Sequence, residues 1–401
     1  MIERATPAEQ REAVTYVVSR WGVPTQTFVR REAAAIRDLG WSVSALSVKK
    51  PLRANGDSLL IGKRAGFVSA IRILSGFAQA LRARPARTCE ILRPLLNANP
   101  RNIPPMFLAT VVGLAWSGNG LVTNRLHSHF GWVSGAAARA AARHADVPYT
   151  IVYHAFDIHT RVLRDRFAQV IAQEATQTFV IAERDIEFMR EHFGVESRLL
   201  RMGVPRDWLA PEAVPSPPES AQLRAVTVAS LTRKKGLDLL ISAIAQSPRW
   251  SARIIGEGDQ RGELEALIVE LGVSSRVELV GLLDEEGVQR ELRRADSFVL
   301  PSAVTDSGDR DGVPVAIMEA MANGKPVVAC DVGAIGELVD GTVGALVADA
   351  SSTEIADALE MLEDPSRRRT LGEAGRQRIQ DDWLVESQAQ VLHEVFVGGS
   401  K

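Results

Sequence analysis

The chain has 401 residues, 46% hydrophobic and 24% charged, with a formal net charge of −2 and two cysteines. That length exceeds one ordinary core, so two domains are expected, each able to bury a core of its own. The composition excludes fibrous, low-complexity and disulfide-scaffold classes, no window reaches the apolar length that crosses a bilayer, and no recognition motif points to nucleic acid.

Cys89 and Cys330 lie far apart without metal-ligand spacing and read as reduced thiols of a cytosolic protein. The start, MIERATPAEQREAV, carries charges but no apolar h-region, so export is not expected. Charge is divided unevenly: residues 1–200 hold 26 Lys/Arg against 16 Asp/Glu, about +10, and 201–401 hold 21 against 33, about −12. The two halves therefore suit different partners.

Residues 13–18 (AVTYVV) read as the first strand, followed by a loop over 19–24, a helix over about 25–39 closed by Gly40, and a strand over 43–48. This βαβ opening predicts a parallel sheet with right-handed crossovers. Over 63–93, Lys63, Arg64, Arg72, Arg82, Arg84, Arg87 and Arg93 are opposed only by Glu90 and interleave with Phe67, Ile71, Leu74, Phe77 and Leu81. Such a segment fits either an anionic membrane surface or a surface helix with a solvated basic face. Further strands are expected at 126–130 (LHSHF), 149–153 and 177–181, with an Ala-rich helix over 135–145 and helices near 162–174 and 184–193. Five prolines between 205 and 218 mark a linker. Behind it a second α/β series has strands near 224–229, 252–256, 276–280, 296–300 and 326–330. The expected architecture is two Rossmann-like doubly wound α/β domains, 1–206 and 207–382, facing across a cleft, with a C-terminal helix of about 383–401 packing back on the first. Ligands in such folds sit at the carboxyl ends of the strands.

The most informative stretch is 311–344. Gly312 and Pro314 mark a loop that becomes a helix, and a helix start attracts anions through unpaired N–H groups and its dipole. Glu319 then falls in an otherwise apolar helix, where a carboxylate needs hydrogen-bond donors such as a sugar diol; the alternative is a solvated or Arg-paired residue. Lys235 beside Gly236, at the turn SLTRKKG, suits a diphosphate, although basic turns also serve solubility. Gly256 and Gly258 lack the third glycine of a dinucleotide fingerprint and read better as a tight turn. His127 and His129 alternate on one strand and His154 ends another, but no fourth ligand is near in sequence, so a metal site is not expected. His154 with Asp157 suits donation to a sugar hydroxyl or phosphate, or else a packed His and a capping Asp. Asp309-Arg310-Asp311 spells a paired-aspartate metal pattern, discounted because its loop is polar throughout.

Taken together, SRWGVPTQTFVRREAAAIRDLGWSVSAL, LHSHFG, YHAFDIH, RMGVP, the KKG turn, VGLL, VLPS and the 311–344 block resemble the retaining GT-B glycosyltransferases of family 4, in particular the branch that builds exopolysaccharides such as colanic acid. The resemblance implies a nucleoside diphosphate sugar as donor, no metal or other cofactor, and a glycan or lipid-linked acceptor. Glu319 would hold the ribose, Lys235 with Gly312, Val313, Pro314 and Val315 the phosphates, and Asp311 a hydroxyl of the transferred sugar. Leu282, Leu283 and Ser302 would edge the base and phosphate end, with Gly256 and Gly258 beside them and Glu337 close to the nucleotide. His154 would reach the donor sugar, and the acceptor would enter past Trp21, Gly22, Thr25, His129 and Asp157. The chain departs from the pattern at Ser230, where an arginine is usual and for which Arg233 is the available substitute, at Asp311 in place of glutamate, at Thr25-Gln26-Thr27 in place of Ser-Glu-Thr, and at Pro205 in place of aspartate. Two rival readings are a binding protein of the same fold with impaired catalysis and a GT-B-fold sugar-nucleotide epimerase.

Overall fold

The computed structural model describes residues 12–21, 23, 26–49, 70–160, 165–210, 222–305, 308, 310–348 and 351–398. Gly22, Thr25, residues 63–69 of the basic segment, Asp309 and most of the proline-rich linker lie outside these. In chain order the first elements are β1 (Ala13–Val18), α1 (Thr27–Asp38), β2 (Ser42–Ser47), α2 (Ala70–Ala83), α3 (Pro85–Leu92), α4 (Ile103–Gly118), β3 (Arg125–His129), α5 (Val133–Ala145), β4 (Tyr149–Tyr153), α6 (Ala155–His159), α7 (Arg166–Gln173), β5 (Gln177–Val180), α8 (Arg184–Phe193) and β6 (Ser197–Leu199). There follow β7 (Leu223–Val228), α9 (Leu237–Gln246), β8 (Trp250–Ile255), α10 (Arg261–Glu270), β9 (Val277–Gly281), α11 (Glu285–Arg294), β10 (Ser297–Leu300), α12 (Val315–Ala322), β11 (Val327–Cys330), β12 (Gly344–Val347), α13 (Ser352–Met361), α14 (Pro365–Asp382) and α15 (Val385–Gly398).

Two six-stranded sheets result, ordered β2-β1-β3-β4-β5-β6 and β12-β11-β10-β7-β8-β9. Their strand ladders are parallel. In each sheet the chain reverses its direction of winding at one point, β1/β3 in the first and β7/β10 in the second, and such a reversal opens a crevice at the carboxyl ends of the strands. β6 and β12 are additions to the expected strands. Each is short and at a sheet edge, and Gly344 opens β12 because a Cβ there would meet the Val327 carbonyl oxygen at 1.9 Å, so neither shows the β-branched run that marks an inner strand.

The chain divides into one compact unit of residues 1–201 with 388–401 and another of 202–387. The expected boundaries, 206/207 and 382/383, each shift by five residues, because Val204 is tied to the second unit: its N–H donates to Trp383 and its carbonyl accepts from Val385. The first core is built on Ala-rich α5, buried over Val133–Ala142. Small residues let the neighbouring helix come close: a Cβ on Gly113 would meet the Ala137 carbonyl oxygen at 2.2 Å. The basic segment is broken at Pro85 into α2 and α3, and part of its charge is spent internally, Arg84 donating to the His144 carbonyl and Arg87 pairing with Asp146.

The last part of α15 closes the first core. Trp41 Nε1 donates to His393 Nδ1 at 2.9 Å, and fully buried Phe396 packs edge-on against Trp41 and His127 beneath the Arg125 guanidinium. Phe396→Ala is expected to lower the unfolding free energy by about 3–5 kcal/mol, the cost of emptying a closely packed aromatic site, read as a lower denaturant midpoint; a midpoint within experimental scatter of wild type would show that α15 is not part of this core.

Candidate active site

At the reversal point of the second sheet, three connections are drawn together: the turn after β7, the loop after β10 and the loop after β11. Gly236 caps α9 in the left-handed region at φ +58°, and a Cβ there would meet the Pro301 carbonyl oxygen at 2.0 Å. That close approach is locked by Ala303 N–H donating to the Lys234 carbonyl at 2.8 Å. On the other side Gly333, at φ +62°, brings its Cα against the Asp311 carbonyl oxygen, where a Cβ would sit at 1.9 Å, and Ala334 N–H donates to the Gly312 carbonyl. Only glycine accepts both the dihedral and the contact at these two turns.

The polar side chains that converge there are Lys235, Ser302 and Asp311. Lys235 Nζ donates to both oxygens of Asp311, at 2.8 and 2.7 Å, and buried Ser302 Oγ donates to Oδ2 at 2.6 Å. The Lys235 and Asp311 side chains are 14% and 9% exposed, partly desolvated but still reachable. Immediately after them Pro314 starts α12 with no side-chain cap over its first turn, so the arrangement places a lysine, a hydroxyl and a helix start side by side, the chemistry of an anion site. Glu319 is buried on α12, with its own backbone carbonyl held by Asn323. Glu337 ends the 3₁₀ turn Ile335–Glu337, which the contact of Ala334 with Gly312 brings to the same loop.

Other expected donor residues fall differently. Arg233 is 77% exposed and reaches Glu263 at 3.4 Å, so it does not replace the usual arginine beside Lys235. Ser230, half-buried, meets Thr232 Oγ1 at 3.4 Å. Gly256 and Gly258 serve packing: a Cβ on either would run into the backbone of Ala229 or Leu231, and Gly256 N–H is held by the Gly281 carbonyl. That pairing brings the loop of Leu282 and Leu283 to the β8 turn, with both leucines exposed.

In the first unit Gly22 and Thr25 lie outside the described residues, and the other residues expected to face an acceptor, Trp21, His129 and Asp157, are buried. Trp21 is buried, its N–H donating to Ser47 Oγ. His129 and His154 belong to a buried cluster that sequence reasoning did not assemble, since its centre is Glu32 on the inner face of α1. Glu32 Oε1 accepts from Tyr16 Oη at 2.9 Å and lies 3.1 Å from His129 Nε2 and 3.2 Å from His127 Nε2. His129 Nδ1 meets His154 Nε2 at 3.2 Å, and His127 Nδ1 meets Thr150 Oγ1 at 2.7 Å. His154 is also packed between Phe28 and Phe130, which corrects the expectation of an imidazole presented to a sugar. Asp157 takes the capping alternative: its Oδ2 accepts from His154 N–H at 3.0 Å. An acidic residue inside the amphipathic pattern of α1 was the one signal available for Glu32.

Electrostatics in this cluster are set by burial. Burial opposes ionisation of Glu32, but the attraction of His129 and the contacts with both imidazoles outweigh it and hold its carboxyl well below the usual range. Burial, helped by the neighbouring imidazoles, pushes His154 well down, and burial lowers His127 against the pull of Glu32. Asp157 is pushed up to about 7 by burial, against hydrogen bonds from the His154, Gly131 and Trp132 backbone and the charge of His129.

The strand orders and the two reversal points define the GT-B fold. Over 96% of this chain and 99% of the other, the structure superposes on Anabaena Alr3699/HepE in complex with UDP and glucose with a TM-score of 0.71 at 16% identity, which shows the fold. Residues 214–378, which contain Lys235, Ser302, Asp311, Glu319 and Glu337, match the family described as Glycosyl transferases group 1. Among curated relatives, the amylovoran biosynthesis glycosyltransferase AmsK of Erwinia amylovora is 38% identical over 141 residues, 34% of this chain and 35% of its own length. A GDP-mannose-dependent monoacylated alpha-(1-6)-phosphatidylinositol monomannoside mannosyltransferase of Corynebacterium glutamicum is 32% identical over 172 residues, 41% of this chain and 45% of its own. The matched stretches span less than half of these relatives.

The raised Asp157 gives a signed pH dependence. Because the folded state holds this proton more tightly than the unfolded chain, Asp157 adds stability as pH falls from about 7 towards 4, on the order of 2–4 kcal/mol. Glu32, His127 and His154 act oppositely, so the contribution is isolated by comparison with Asp157→Asn: wild type is expected to gain on the variant as pH is lowered through this window. Parallel stability curves for the two proteins would contradict it.

Proposed function

We propose that this protein is a glycosyltransferase that moves a hexose from a nucleoside diphosphate sugar to a glycan or lipid-linked acceptor, with retention of configuration, in the synthesis of a cell-surface polysaccharide or glycolipid. The observation that carries the reading is the Lys235–Asp311–Ser302 cluster beside the start of α12, at the reversal point of a sheet inside the stretch that matches the glycosyl transferases group 1 family. Relatives of this chain include one named for amylovoran biosynthesis and one named a GDP-mannose-dependent mannosyltransferase, and a protein of the same fold holds UDP and glucose.

The proposed chemistry follows from charge. On binding, the diphosphate takes over Lys235 and the backbone N–H groups of Gly312, Val313 and Val315, and Asp311, released from the ammonium, accepts a hydrogen bond from a hydroxyl of the sugar. Glu319 accepts from the ribose hydroxyls. As the glycosidic bond to the diphosphate breaks, charge accumulates on the leaving oxygen, where Lys235 and the helix dipole lower its energy while Ser302 holds Asp311; the acceptor hydroxyl attacks from the same face and gives up its proton to the departing phosphate. No metal is invoked at this site. Ile71, Leu74 and Leu81 on α2 are exposed beside basic Arg72 and Arg82, as are Phe107 and Leu108 on neighbouring α4, a surface suited to peripheral contact with an anionic membrane that carries the acceptor. Among the described residues no helix is long and apolar enough to cross a membrane.

A second reading, a sugar-nucleotide-binding protein with impaired catalysis, is favoured by Ser230 and by the outward turn of Arg233. A panel of UDP- and GDP-sugars with acceptor extracts separates the two, and isomerised donor without acceptor would identify an epimerase. Lys235→Ala is expected to lower transfer by about 100- to 1,000-fold, the usual cost of one preorganised donor to a developing charge. Glu319→Ala is expected to weaken nucleotide binding by about 10- to 100-fold, as lost hydrogen bonds to a charged group imply, and Ser230→Arg to leave binding equal or tighter. Unchanged nucleotide affinity in both Lys235→Ala and Glu319→Ala would sink the assignment of this site.

A further inference from the structure

The buried cluster of the first unit is not accounted for by transfer chemistry, and it does not behave as an ordinary hydrogen-bonded core. His127 and His129 alternate on β3 and therefore present their rings to the same side of the sheet, where α1 delivers Glu32. One ligand atom from each of the three lies within 4.8 Å of the others, and all three residues are buried. One detail resists a purely hydrogen-bonded account. Oε1 of Glu32 faces three groups, Tyr16 Oη at 2.9 Å, His129 Nε2 at 3.1 Å and His127 Nε2 at 3.2 Å, and its two lone pairs serve the first two. His127 Nε2, on a fully buried side chain, is off the line of a hydrogen bond to that oxygen and has no hydrogen-bond partner among the described residues. Burying a ring nitrogen in that state is costly unless its lone pair is used.

We propose that Glu32, His127 and His129 bind a divalent cation of the zinc class in the first unit, through the Glu32 carboxylate and the two Nε2 atoms. The spacing fits: zinc with donors about 2.0–2.1 Å away places neighbouring tetrahedral donors roughly 3.3–3.4 Å apart, against 3.1 and 3.2 Å here. The imidazole planes are nearly perpendicular, with centroids 5.1 Å apart, so neither ring obstructs the other. Two imidazoles with one carboxylate form a donor set that selects borderline transition metals over calcium or magnesium. The outer contacts also match. In each histidine the distal nitrogen is anchored, His127 Nδ1 on Thr150 Oγ1 and His129 Nδ1 on His154 Nε2, the arrangement that orients a metal-bound imidazole. Tyr16 Oη, already on the same carboxylate oxygen, is the protein atom available for a fourth position, with water as the alternative. Such an ion ties α1 to β3 and, by fixing His129, sets the ring of His154, a positioning role. It belongs to a different unit from the donor site and does not depend on the function proposed above.

The test uses the full chain produced without a histidine tag. Elemental analysis of protein from zinc-supplemented cultures is expected to find about one zinc per chain, and chelator-stripped protein titrated with Co²⁺ is expected to develop ligand-field bands that saturate at about one equivalent. Glu32→Gln and His129→Gln should abolish the bands, and Thr150→Val should weaken metal binding by about 10- to 100-fold, the usual effect of removing an outer contact. Should the ligand variants fail to fold, the wild-type protein decides: removal of the metal is expected to lower its unfolding midpoint, and re-addition to restore it. Sub-stoichiometric metal with no Co²⁺ bands, or bands of equal strength in well-folded Glu32→Gln, would overturn the proposal and leave a proton-sharing cluster in its place.

Discussion

The constraint on which the second unit depends is the ion pair of Lys235 with Asp311. Three loops must meet at the reversal point of the sheet, and backbone brought so close leaves little room for side chains; Gly236 and Gly333 give way so that one ammonium and one carboxylate occupy the junction. Each of these charges is partly withdrawn from water, so either alone would be costly and the pair is stable only as a pair or with a ligand in place of one partner. Ser302, fixed at the end of β10, adds a directional hydrogen bond that aims the carboxylate. Local dihedrals and loop packing are thus consequences of one junction.

The first unit answers the same topological problem differently. Near its own reversal point, between β1 and β3, charge is handled by burying an acid among imidazoles. The basic excess of this half is likewise more structural than it looks in composition. Arg139 is fully buried with Nε and Nη2 on Glu174 and Nη1 on the Ile91 carbonyl, Arg143 pairs with Glu90, Arg84 and Arg87 hold the end of α5, and Arg125 lies over Trp41 and Phe396. Among the described residues, α2 and α4 carry exposed apolar side chains, Ile71, Leu74, Leu81, Phe107 and Leu108.

How much of this is legible in sequence depends on how far apart the partners lie. β1, β4, β7 and β10 announce themselves as short apolar runs, and the loop-to-helix signature at 311–319 indicates both the start of α12 and the interior position of Glu319. The three-residue edge strand β6 carries no such run, β12 opens on a glycine and lacks a β-branched run, and the short α6 is hidden inside YHAFDIH because its start depends on Asp157 capping His154. Lys235 and Asp311 are each suspect from local context, but nothing in sequence shows that they touch across 76 positions. Glu32 is harder still, since its partners are 16 and 97 positions away and only tertiary packing makes it their shared acceptor. Arg233 fails for the opposite reason: its neighbourhood in sequence is right, but a long exposed side chain takes the nearest solvent-side carboxylate, Glu263.

The missing arginine at Ser230 gives the Lys235–Asp311 pair a consequence for selectivity. In a site with an additional fixed cation, any phosphate gains attraction merely by arriving. Here a ligand that takes Lys235 must separate it from Asp311, so a free anion exchanges one partner of the ammonium for another and strands the carboxylate. A diphosphate that also carries a sugar brings a hydroxyl to that carboxylate in the same step and leaves neither charge unmatched. The proposed donor is thereby discriminated from its own product, because loss of the sugar leaves the nucleotide in competition with Asp311 for the lysine.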